Sequence, residues 1–332
     1  MAQYAGENLA VVFSSFGVPS DVACCAEWPV PSLSTGEALI EMEAAPINPA
    51  DLNVLEGKYG TLPPLPAVPG VEGVGRILRV EGGSGAIGPG DRVILPRGIG
   101  TWRRRVVART VDLITVPESV PVQQAAMLRI NPATAYGMLH NFCALEAGEW
   151  VMQNAANSGV GRSVIQIARA CGWRTVNVVR RESLRAELEA IGADVVLVEG
   201  EGLSRRIREA TGGVAPRLGF NGVGGESALA LANAIAEGGT LVTYGAMARQ
   251  PLRIPNGLLI FRDVRFCGFW VTRWYDVMSE VTRAELFQRL IGWAESGVLC
   301  TPVEAEYSLE RIRDALLHAQ RPERWGKVLL RP

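Results

Sequence analysis

The sequence has few of the side chains that bind transition metals, and those it has are scattered. It contains only two histidines, His140 and His318, which lie far apart in the chain. None of the six cysteines forms the Cys-x-x-Cys spacing of a zinc site. The cysteines are Cys24, Cys25, Cys143, Cys171, Cys267 and Cys300. We therefore expect no metal centre and no disulfide framework, which indicates a reducing compartment.

An excess of either charge is also missing. The 33 Lys and Arg residues nearly cancel the 34 Asp and Glu residues, and no basic stripe indicates a nucleic-acid partner. No apolar run approaches the ~20 residues that a membrane helix needs. The opening stretch "MAQYAGENLAVVFSSFG" has neither a basic region before an apolar core nor an Arg-rich amphipathic pattern. We expect a globular cytoplasmic protein that binds neither nucleic acid nor membrane.

The first part of the chain has the sequence pattern of a β-rich domain. Short alternating runs rich in Val, Pro and Gly are separated by turns. They are "LAVVF" (9–13), "EALIEMEAA" (37–45), "VGRILRVEG" (74–82) and "DRVILP" (91–96). Residues 1–126 are therefore predicted to form a barrel-like domain. We expect the tail, residues 275–332, to return to it with an amphipathic helix and the closing strand "GKVLL" (326–330).

Between these segments, residues 127–274 alternate apolar strands with amphipathic helices. The strands include "WVMQN" (150–154), "RTVNVV" (174–179) and "DVVLVEG" (194–200), and "RFCGFWV" (265–271) is the last of them. Helical spacing of apolar residues covers 160–172 and 184–193. This alternation predicts an α/β domain with a doubly wound parallel sheet.

The first strand-turn-helix of that domain predicts a dinucleotide site. The usual fingerprint is Gly-x-Gly-x-x-Gly, and Ala156, Ser158 and Gly161 stand at its three glycine places. Only Gly161 matches, but small residues fill the turn, so backbone N–H groups can approach a pyrophosphate at the helix N-terminus. The alternative is a tight turn that packs on its sheet without a ligand.

Two arginines at the end of the second strand favour NADPH as the cofactor. A site that prefers NAD carries an acidic residue there for the ribose 2′-hydroxyl, whereas Arg180 and Arg181 stand at this point. A guanidinium binds a phosphate with two hydrogen bonds. Glu182 follows directly and has to point away or pair with an arginine. The alternative is a pair of solvated surface arginines.

The order of domains resembles the medium-chain dehydrogenase/reductase superfamily, which implies a GroES-like barrel and a Rossmann domain. Many members bind catalytic zinc through Cys and a Gly-His-Glu segment. The matching segment here is "PGVEGVG" (69–75), with Val71 in place of His, and "INPADLN" has no Cys. The resemblance therefore implies a zinc-free member, in which another group has to polarise the carbonyl.

Within this superfamily the chain is similar to the 2-enoyl thioester reductases, nearly from end to end. The similarity rests on "INPADLN…GKYG" (47–60), "GTW" (100–102), "NPATAY" (131–136), "QNAANSGVG" (153–161), "NVVR" (177–180), "VTYGAMARQP" (242–251), "LLIFRD" (258–263) and "GFWVTRW" (268–274). It implies an NADPH-dependent enzyme that reduces trans-2-enoyl thioesters of CoA or acyl carrier protein. It also implies a homodimer joined near residues 258–271.

The resemblance assigns roles to particular residues. The catalytic residue falls on Tyr59. For the substrate pocket we expect Asn53, Trp102, Phe269 and Trp270, the last two because the carboxyl ends of strands in such sheets face the cofactor crevice. Cofactor contacts are expected at Asn131, Asn157, Ser158, Gly159, Val160, Gly161, Arg180, Arg181, Tyr244, Gly245, Ala246, Met247, Phe269, Trp270, Val271 and Lys327. A purely structural role is the alternative for four of these residues. Phe269 and Trp270 could pack in the core, Asn53 could cap a helix, and Lys327 could be a surface lysine at a strand edge.

The implied chemistry suits a tyrosine. Hydride addition to the β-carbon of an enoyl thioester develops negative charge on the thioester oxygen. A donor aimed at such an oxygen typically lowers the barrier by roughly 2.7–4 kcal/mol. A tyrosine hydroxyl is protonated at neutral pH and donates without a metal. The competing hypotheses are a zinc-free NADPH quinone or enone reductase and an NADPH-binding protein without turnover.

Overall fold

A computed structural model describes residues 8–82, 85 and 87–332. The chain forms two compact units. The first comprises Met1–Ile130 and Phe287–Pro332, and the second comprises Asn131–Leu286. Relative to the predicted boundaries, residues 127–130 lie with the first unit, whereas residues 275–286 lie with the second.

The first unit is built mainly from antiparallel strands. Its strands are β1 (Leu9–Phe13), β2 (Ala23–Glu27), β3 (Glu37–Pro46), β4 (Val74–Glu81), β5 (Arg92–Ile94), β6 (Arg105–Arg109), β7 (Ile114–Thr115), β14 (Val303–Ser308) and β15 (Lys327–Arg331). Its helices are α1 (Pro19–Val22), α2 (Pro49–Leu55), α3 (Val122–Ala125) and α12 (Ile312–Ala319). Seven strands pair in one sheet, in the order β14-β15-β3-β4-β5-β7 with β6 also on β3, and β1 pairs with β2.

Strand β3 organises this sheet because it pairs with three neighbours. It is antiparallel to β4, β6 and β15. The pairing of Leu330 with Ala45 brings the end of the chain next to the segment that leads into α2. One core cluster beneath these elements includes Phe13, Ile47, Leu55 and Trp102, with Tyr59 packed against it. The tail therefore completes the sheet and contributes Val328 and Leu330 to the core against which Tyr59 packs.

The second unit alternates strands and helices. Its strands are β8 (Trp150–Gln153), β9 (Arg174–Val179), β10 (Val195–Val198), β11 (Leu218–Asn221), β12 (Thr240–Thr243) and β13 (Arg265–Gly268). Its helices are α4 (Asn131–Asn141), α5 (Gly159–Ala170), α6 (Arg185–Ala190), α7 (Leu203–Ala210), α8 (Gly225–Ala234), α9 (Asn256–Ile260) and α10 (Val271–Asp276), and α11 (Glu280–Glu295) runs on into the first unit. Single-turn 3-10 helices cover Thr110–Asp112 and Leu309–Arg311 in the first unit and Glu182–Leu184 in the second.

All pairings in the six-stranded sheet of this unit are parallel, in the order β10-β9-β8-β11-β12-β13. The order reverses between β8 and β11, and ligands of such sheets bind outside the carboxyl ends of the strands at this point. The predicted fold class is confirmed. No helix in the described part of the chain is both long and apolar enough to span a bilayer.

Candidate active site

Helix α5 begins as a phosphate-binding helix would. The Ser158 hydroxyl caps it by accepting a hydrogen bond from the Gly161 N–H at 3.0 Å. A Cβ at Gly161 would lie 2.5 Å from the Ala156 carbonyl oxygen, so no side chain fits there. The glycine therefore keeps the turn tight against the helix, and the amino end of α5 follows β8 after only five residues.

The arginine pair follows β9 directly. Arg180 is exposed and Arg181 is half-buried, immediately after the last buried strand residue, Val179. The neighbouring Glu182 pairs with Arg185, whose hydrogen bond lowers the pKa of that carboxyl. Because Glu182 is bound by Arg185, its charge is partly neutralised next to the arginine pair.

Tyr244 directly follows β12 and lies beside the turn between β8 and α5. Its N–H donates to the Asn221 carbonyl at 3.0 Å, and a Cβ on Gly222 would lie 2.8 Å from its hydroxyl. Burial raises the pKa of Tyr244 to about 12, and contact with Ser158 lowers it in part. The phenol is therefore neutral and lies beside the cap of α5, and its buried hydroxyl has no hydrogen-bond partner of good geometry among the described residues. Gly245, Ala246 and Met247 continue the loop, and the Met247 N–H donates to the Gly222 carbonyl.

A buried pair of amides holds the two loops at the switch point, and sequence reasoning missed it. The Asn154 side chain donates to Asn221 at 2.9 Å and accepts from the Gly222 N–H at 2.7 Å. Both asparagines have no exposed surface. The available signal was an asparagine at the carboxyl end of each of two neighbouring parallel strands, since Asn154 directly follows β8 and Asn221 is the last residue of β11. These amides fix the loops after β8 and β11 in place.

The remaining predicted cofactor residues of the second unit lie in two places. Asn157, Gly159 and Val160 belong to the turn and first residues of α5, and Asn131 begins α4 with 8% of its surface exposed. Phe269, Trp270 and Val271 follow β13, where Trp270 is 38% exposed and Val271 7%. The Phe269 ring packs on Trp274, with centroids 5.6 Å apart. The predicted strand over 265–271 ends earlier, at Gly268, and Val271 begins α10.

Tyr59 lies just beyond helix α2 in the first unit. Asn48 precedes the helix, Pro49 is its first residue, and the Asp51 carboxylate accepts from the Asn48 N–H at 2.8 Å. The helix ends at Leu55, Gly57 turns the chain with a φ of 71°, and the Lys58 N–H donates back to the Asn53 carbonyl at 2.8 Å. Asn53 is therefore a helix residue, and Tyr59 has a defined position at the carboxyl end of α2.

Lys327 belongs to a buried polar network rather than to the surface. Its ammonium donates to the Asn48 side-chain oxygen, and the Asn48 amide donates to Glu72 at 2.8 Å. The second Glu72 oxygen accepts from the Ile130 N–H, and Asp51 accepts from the Val71 N–H at 3.0 Å. Lys327 is 7% exposed, which contradicts the alternative of a strand-edge surface lysine.

Burial perturbs all three charged groups of this network. It raises the pKa of Glu72 to about 7, partly opposed by the Lys327 ammonium. It also raises the pKa of Asp51 to about 7, against the hydrogen bonds from Asn48 and Val71. The pKa of Lys327 falls to about 8 for the same reason, opposed by the charge of Glu72. The network is therefore a compensated group of charges, each expensive to bury alone.

The donor set of this region does not fit a zinc ion. Val71 stands at the histidine place and offers only its backbone, while the carboxylate oxygens of Asp51 and Glu72 accept N–H groups. Zinc sites of this kind use thiolate and imidazole ligands. Among the described residues, no group of three or more His, Cys, Asp and Glu side chains is placed to hold a metal ion.

Trp102 lies in the core of the first unit. It has no exposed surface, and its indole N–H donates to the Pro46 carbonyl at 3.3 Å. This burial favours a packing role over the predicted substrate contact. It places the ring beneath the end of β3, next to the segment that enters α2.

The sequence matches two families that occur together in one class of oxidoreductase. Residues 34–118 match the family described as alcohol dehydrogenase GroES-like domain, and residues 159–285 match the family described as zinc-binding dehydrogenase. With the sheet order above, these matches define a medium-chain dehydrogenase/reductase.

Relatives that match over most of the chain identify the family within this superfamily. The mouse protein named mitochondrial enoyl-[acyl-carrier-protein] reductase is 41% identical over 327 residues, which is 97% of this chain and 88% of that protein. The Caenorhabditis elegans protein of the same name is 45% identical over 80% of this chain and 77% of its own length. The chain therefore belongs to the mitochondrial-type enoyl thioester reductase family.

Solved structures agree with this assignment. The Etr1p/Etr2p heterodimer of mitochondrial 2-enoyl thioester reductase from Candida tropicalis matches with a TM-score of 0.88 and 28% identity, covering 98% of this chain and 100% of that chain. An Etr1p complex with NADP and crotonyl-CoA matches with 0.88 and 28%, covering 98% and 99%. A mycobacterial quinone oxidoreductase matches with 0.86 and 26%, covering 98% and 100%.

The relatives correct one expectation. The predicted cytoplasmic localisation is wrong, because the curated relatives are named mitochondrial. Balanced charge and free thiols indicate a reducing compartment, and this property does not distinguish the cytoplasm from the mitochondrial interior. The opening residues 1–7 lie outside the described part of the chain.

Proposed function

We propose that this protein reduces the C=C bond of trans-2-enoyl thioesters with NADPH and releases the saturated acyl thioester. One observation carries the proposal. Similarity to enoyl-[acyl-carrier-protein] reductases extends over 97% of the chain at 41% identity, so it includes both the nucleotide-binding unit and the Tyr59 segment. A related structure holds both NADP and crotonyl-CoA.

The second unit supplies the residues for the cofactor. The tight turn at Gly161 and the first turn of α5 suit a pyrophosphate, with Ser158 and Tyr244 beside them. Arg180 and Arg181 suit the 2′-phosphate, because a guanidinium binds phosphate and a carboxylate would repel it. We also assign to this site Asn131, Asn157, Gly159, Val160, Gly245, Ala246, Met247 and Val271. When bound, NADPH supplies the hydride.

We assign Tyr59 as the catalytic residue. Its hydroxyl would donate to the thioester oxygen while the enolate forms and keep the acyl group oriented. Reduction is complete when the α-carbon takes a proton, which Tyr59 or a water molecule delivers. Asn53, Phe269 and Trp270 are the proposed pocket residues. Of these, Trp270 has the aromatic surface left exposed for an acyl chain.

The reaction is tested by following NADPH oxidation with crotonyl-CoA, with NADH as the matched cofactor control. We expect a kcat/KM for NADPH at least tenfold above that for NADH, and a clear decrease for NADPH in the double variant R180A/R181A. No NADPH oxidation with crotonyl-CoA, or with the corresponding acyl carrier protein thioester, would contradict the proposal.

Quinone reduction is the second candidate, because a quinone oxidoreductase shares the fold at a TM-score of 0.86. A quinone accepts hydride without needing a donor at a thioester oxygen. The two functions therefore separate when crotonyl-CoA and a benzoquinone are compared under identical conditions. We expect crotonyl-CoA to be the better substrate, and a higher kcat/KM on the quinone would favour the second candidate.

We also propose that two copies pair along β13, the outermost strand on that side of the described sheet. Helix α9 and the residue after it expose Leu259, Ile260 and Phe261, the last with 80% of its surface open. Such a cluster beside an open sheet edge suits a self-complementary contact. Light scattering is expected to give twice the chain mass of 35.7 kDa, and Phe261→Glu to give the monomer. A monomeric parent protein would refute the pairing.

A further inference from the structure

We propose that Arg162 is a positioning residue for the 2′-phosphate of NADPH, because it ties helix α6 to the turn before α5. In this role it sets the preference for NADPH over NADH through the arginine pair that follows β9. The inference rests on the proposed function, since it assumes that Arg180 and Arg181 bind the 2′-phosphate. The contacts that carry it all lie within the second unit.

Arg162 has a buried guanidinium at a place that disfavours a cation. It is the fourth residue of α5 and is buried there. The amino end of a helix carries a partial positive charge, which attracts anions and repels cations. Burial of the guanidinium adds to this cost unless its charge and its N–H groups find partners. Its specific contacts therefore have to explain its position.

The guanidinium joins two segments of the cofactor unit. Its Nε–H donates at 3.2 Å to the carbonyl of Asn157, in the turn between β8 and α5. One Nη donates to the carboxylate of Glu187, which belongs to α6 and lies 25 residues further along the chain. The Arg162 side chain is 5% exposed and that of Glu187 34%, so water and salt screen this ion pair less than a fully exposed one. Arg162 is therefore a link between the turn and α6.

A short, packed segment connects α6 to the arginine pair. The single-turn helix Glu182–Leu184 directly follows Arg181, and α6 begins directly after it. The Leu184 N–H donates to the Arg181 carbonyl at 3.3 Å. The Leu184 side chain packs in one core cluster with Ala156 of the turn. A shift of α6 relative to the turn therefore moves the chain at Arg181 as well.

The two phosphate groups of the cofactor should respond differently to such a shift. The pyrophosphate is common to NADPH and NADH, and its proposed turn keeps its own hydrogen bond between Ser158 and Gly161. Only NADPH carries the 2′-phosphate, and the paired hydrogen bonds from a guanidinium to a phosphate depend on orientation. Loss of the link to α6 should therefore weaken the binding of NADPH and leave that of NADH nearly unchanged.

A double-mutant cycle with both cofactors tests the proposal. The variants are Arg162→Met, R180A/R181A and their combination, and fluorescence titration gives the Kd of each for NADPH and NADH. We expect Arg162→Met to weaken NADPH binding at least fivefold and NADH binding less than twofold. In the R180A/R181A background, the same substitution should change the NADPH Kd less than twofold, because the groups that it positions are gone. Arg169→Met, at the exposed far end of α5, is the matched control and should bind both cofactors normally.

Every other result overturns the proposal. Equal weakening of NADPH and NADH would place the effect of Arg162 at the shared pyrophosphate. An equal loss in the R180A/R181A background would make Arg162 independent of the arginine pair, and unchanged NADPH binding in Arg162→Met would leave the link without a role in cofactor choice. Normal NADPH binding by R180A/R181A itself would instead reject the assigned 2′-phosphate site. If Arg162→Met does not fold, Glu187→Ala replaces it in the cycle with the same expectations, and loss of folding in both would reduce the pair to a stability role.

Discussion

At the scale of the residue, burial decides which side chains carry the argument. Lys327 is one of two lysines in the sequence, and no residue beside it suggests a partner. Its partner Asn48 lies 279 residues away, so only the pairing of β15 with β3 brings the two together. Sequence reasoning could assign Tyr59 from its motif, but it could not find a network made by distant contacts.

The low pKa of Lys327 can be measured directly, because only two lysines have to be resolved. Selective isotope labelling of lysine gives two side-chain signals, and Lys58→Arg assigns them. Since burial outweighs the attraction of Glu72, we expect the Lys327 signal to titrate near pH 8. A midpoint near that of a free lysine would mean that the ammonium is solvated and the network is open.

At the scale of the element, the sequence predicted strands better than helix ends. Strands β1 and β9 have the predicted bounds, because short apolar runs between turns leave little choice. The strands and helices predicted from the sequence do not include α2, although Asn48, Pro49 and Asp51 form a helix-start pattern. The pattern over 265–271 predicts strand for the aromatic pair 269–270, which lies beyond the end of β13, because periodicity cannot separate so short a run from a helix start.

Helix α5 provides a test at this scale, because the two roles of Ser158 can be separated. Ser158→Ala removes the cap and should cost about 1 kcal/mol of stability. Ser158→Asp keeps a capping oxygen but adds negative charge where the pyrophosphate would bind. We therefore expect near-normal stability and at least tenfold weaker NADPH binding for Ser158→Asp, measured by denaturant unfolding and fluorescence titration. Unchanged NADPH binding in this variant would place the phosphates elsewhere.

At the scale of the whole molecule, the fold was predictable and the use of its tail was not. Alternating strands and helices predict the doubly wound sheet, and the observed order β10-β9-β8-β11-β12-β13 agrees. The tail was expected to return to the first domain, but its contribution to the buried charges beneath the Tyr59 helix depends on strand pairing alone. Amino-acid composition does not determine localisation, so the cytoplasmic localisation predicted from it was wrong.

The buried carboxylates couple the stability of the molecule to pH. In the folded protein, burial raises the pKa of Glu72 to about 7. The stability that its protonation contributes is therefore complete at pH values below the pKa of Glu72 in the unfolded chain, and it is lost as pH rises through 7. Glu72→Gln removes this dependence. Between pH 5 and 7 we expect the free energy of unfolding of the variant to rise relative to the parent protein by about 2 kcal/mol, at about 1.36 kcal/mol per pKa unit.

Denaturant unfolding of both proteins at several pH values measures this difference. A constant offset between the two curves would reflect only the altered hydrogen bonds, because those do not depend on pH in this range. Parallel curves would therefore show that Glu72 is ionised throughout and that its charge is fully compensated at pH 5.

The central claim is that a phenol stabilises the enolate of a thioester, and one substitution tests it most directly. Tyr59→Phe removes one oxygen atom from the segment after α2. We expect kcat with NADPH and crotonyl-CoA to fall by about 10²–10³, the usual loss for one oxyanion donor, while NADPH binding is unchanged. Tyr136→Phe, in which the lost hydroxyl belongs to helix α4, is the matched control and should keep its rate. Full activity in Tyr59→Phe would show that the Tyr59 hydroxyl does not stabilise the enolate.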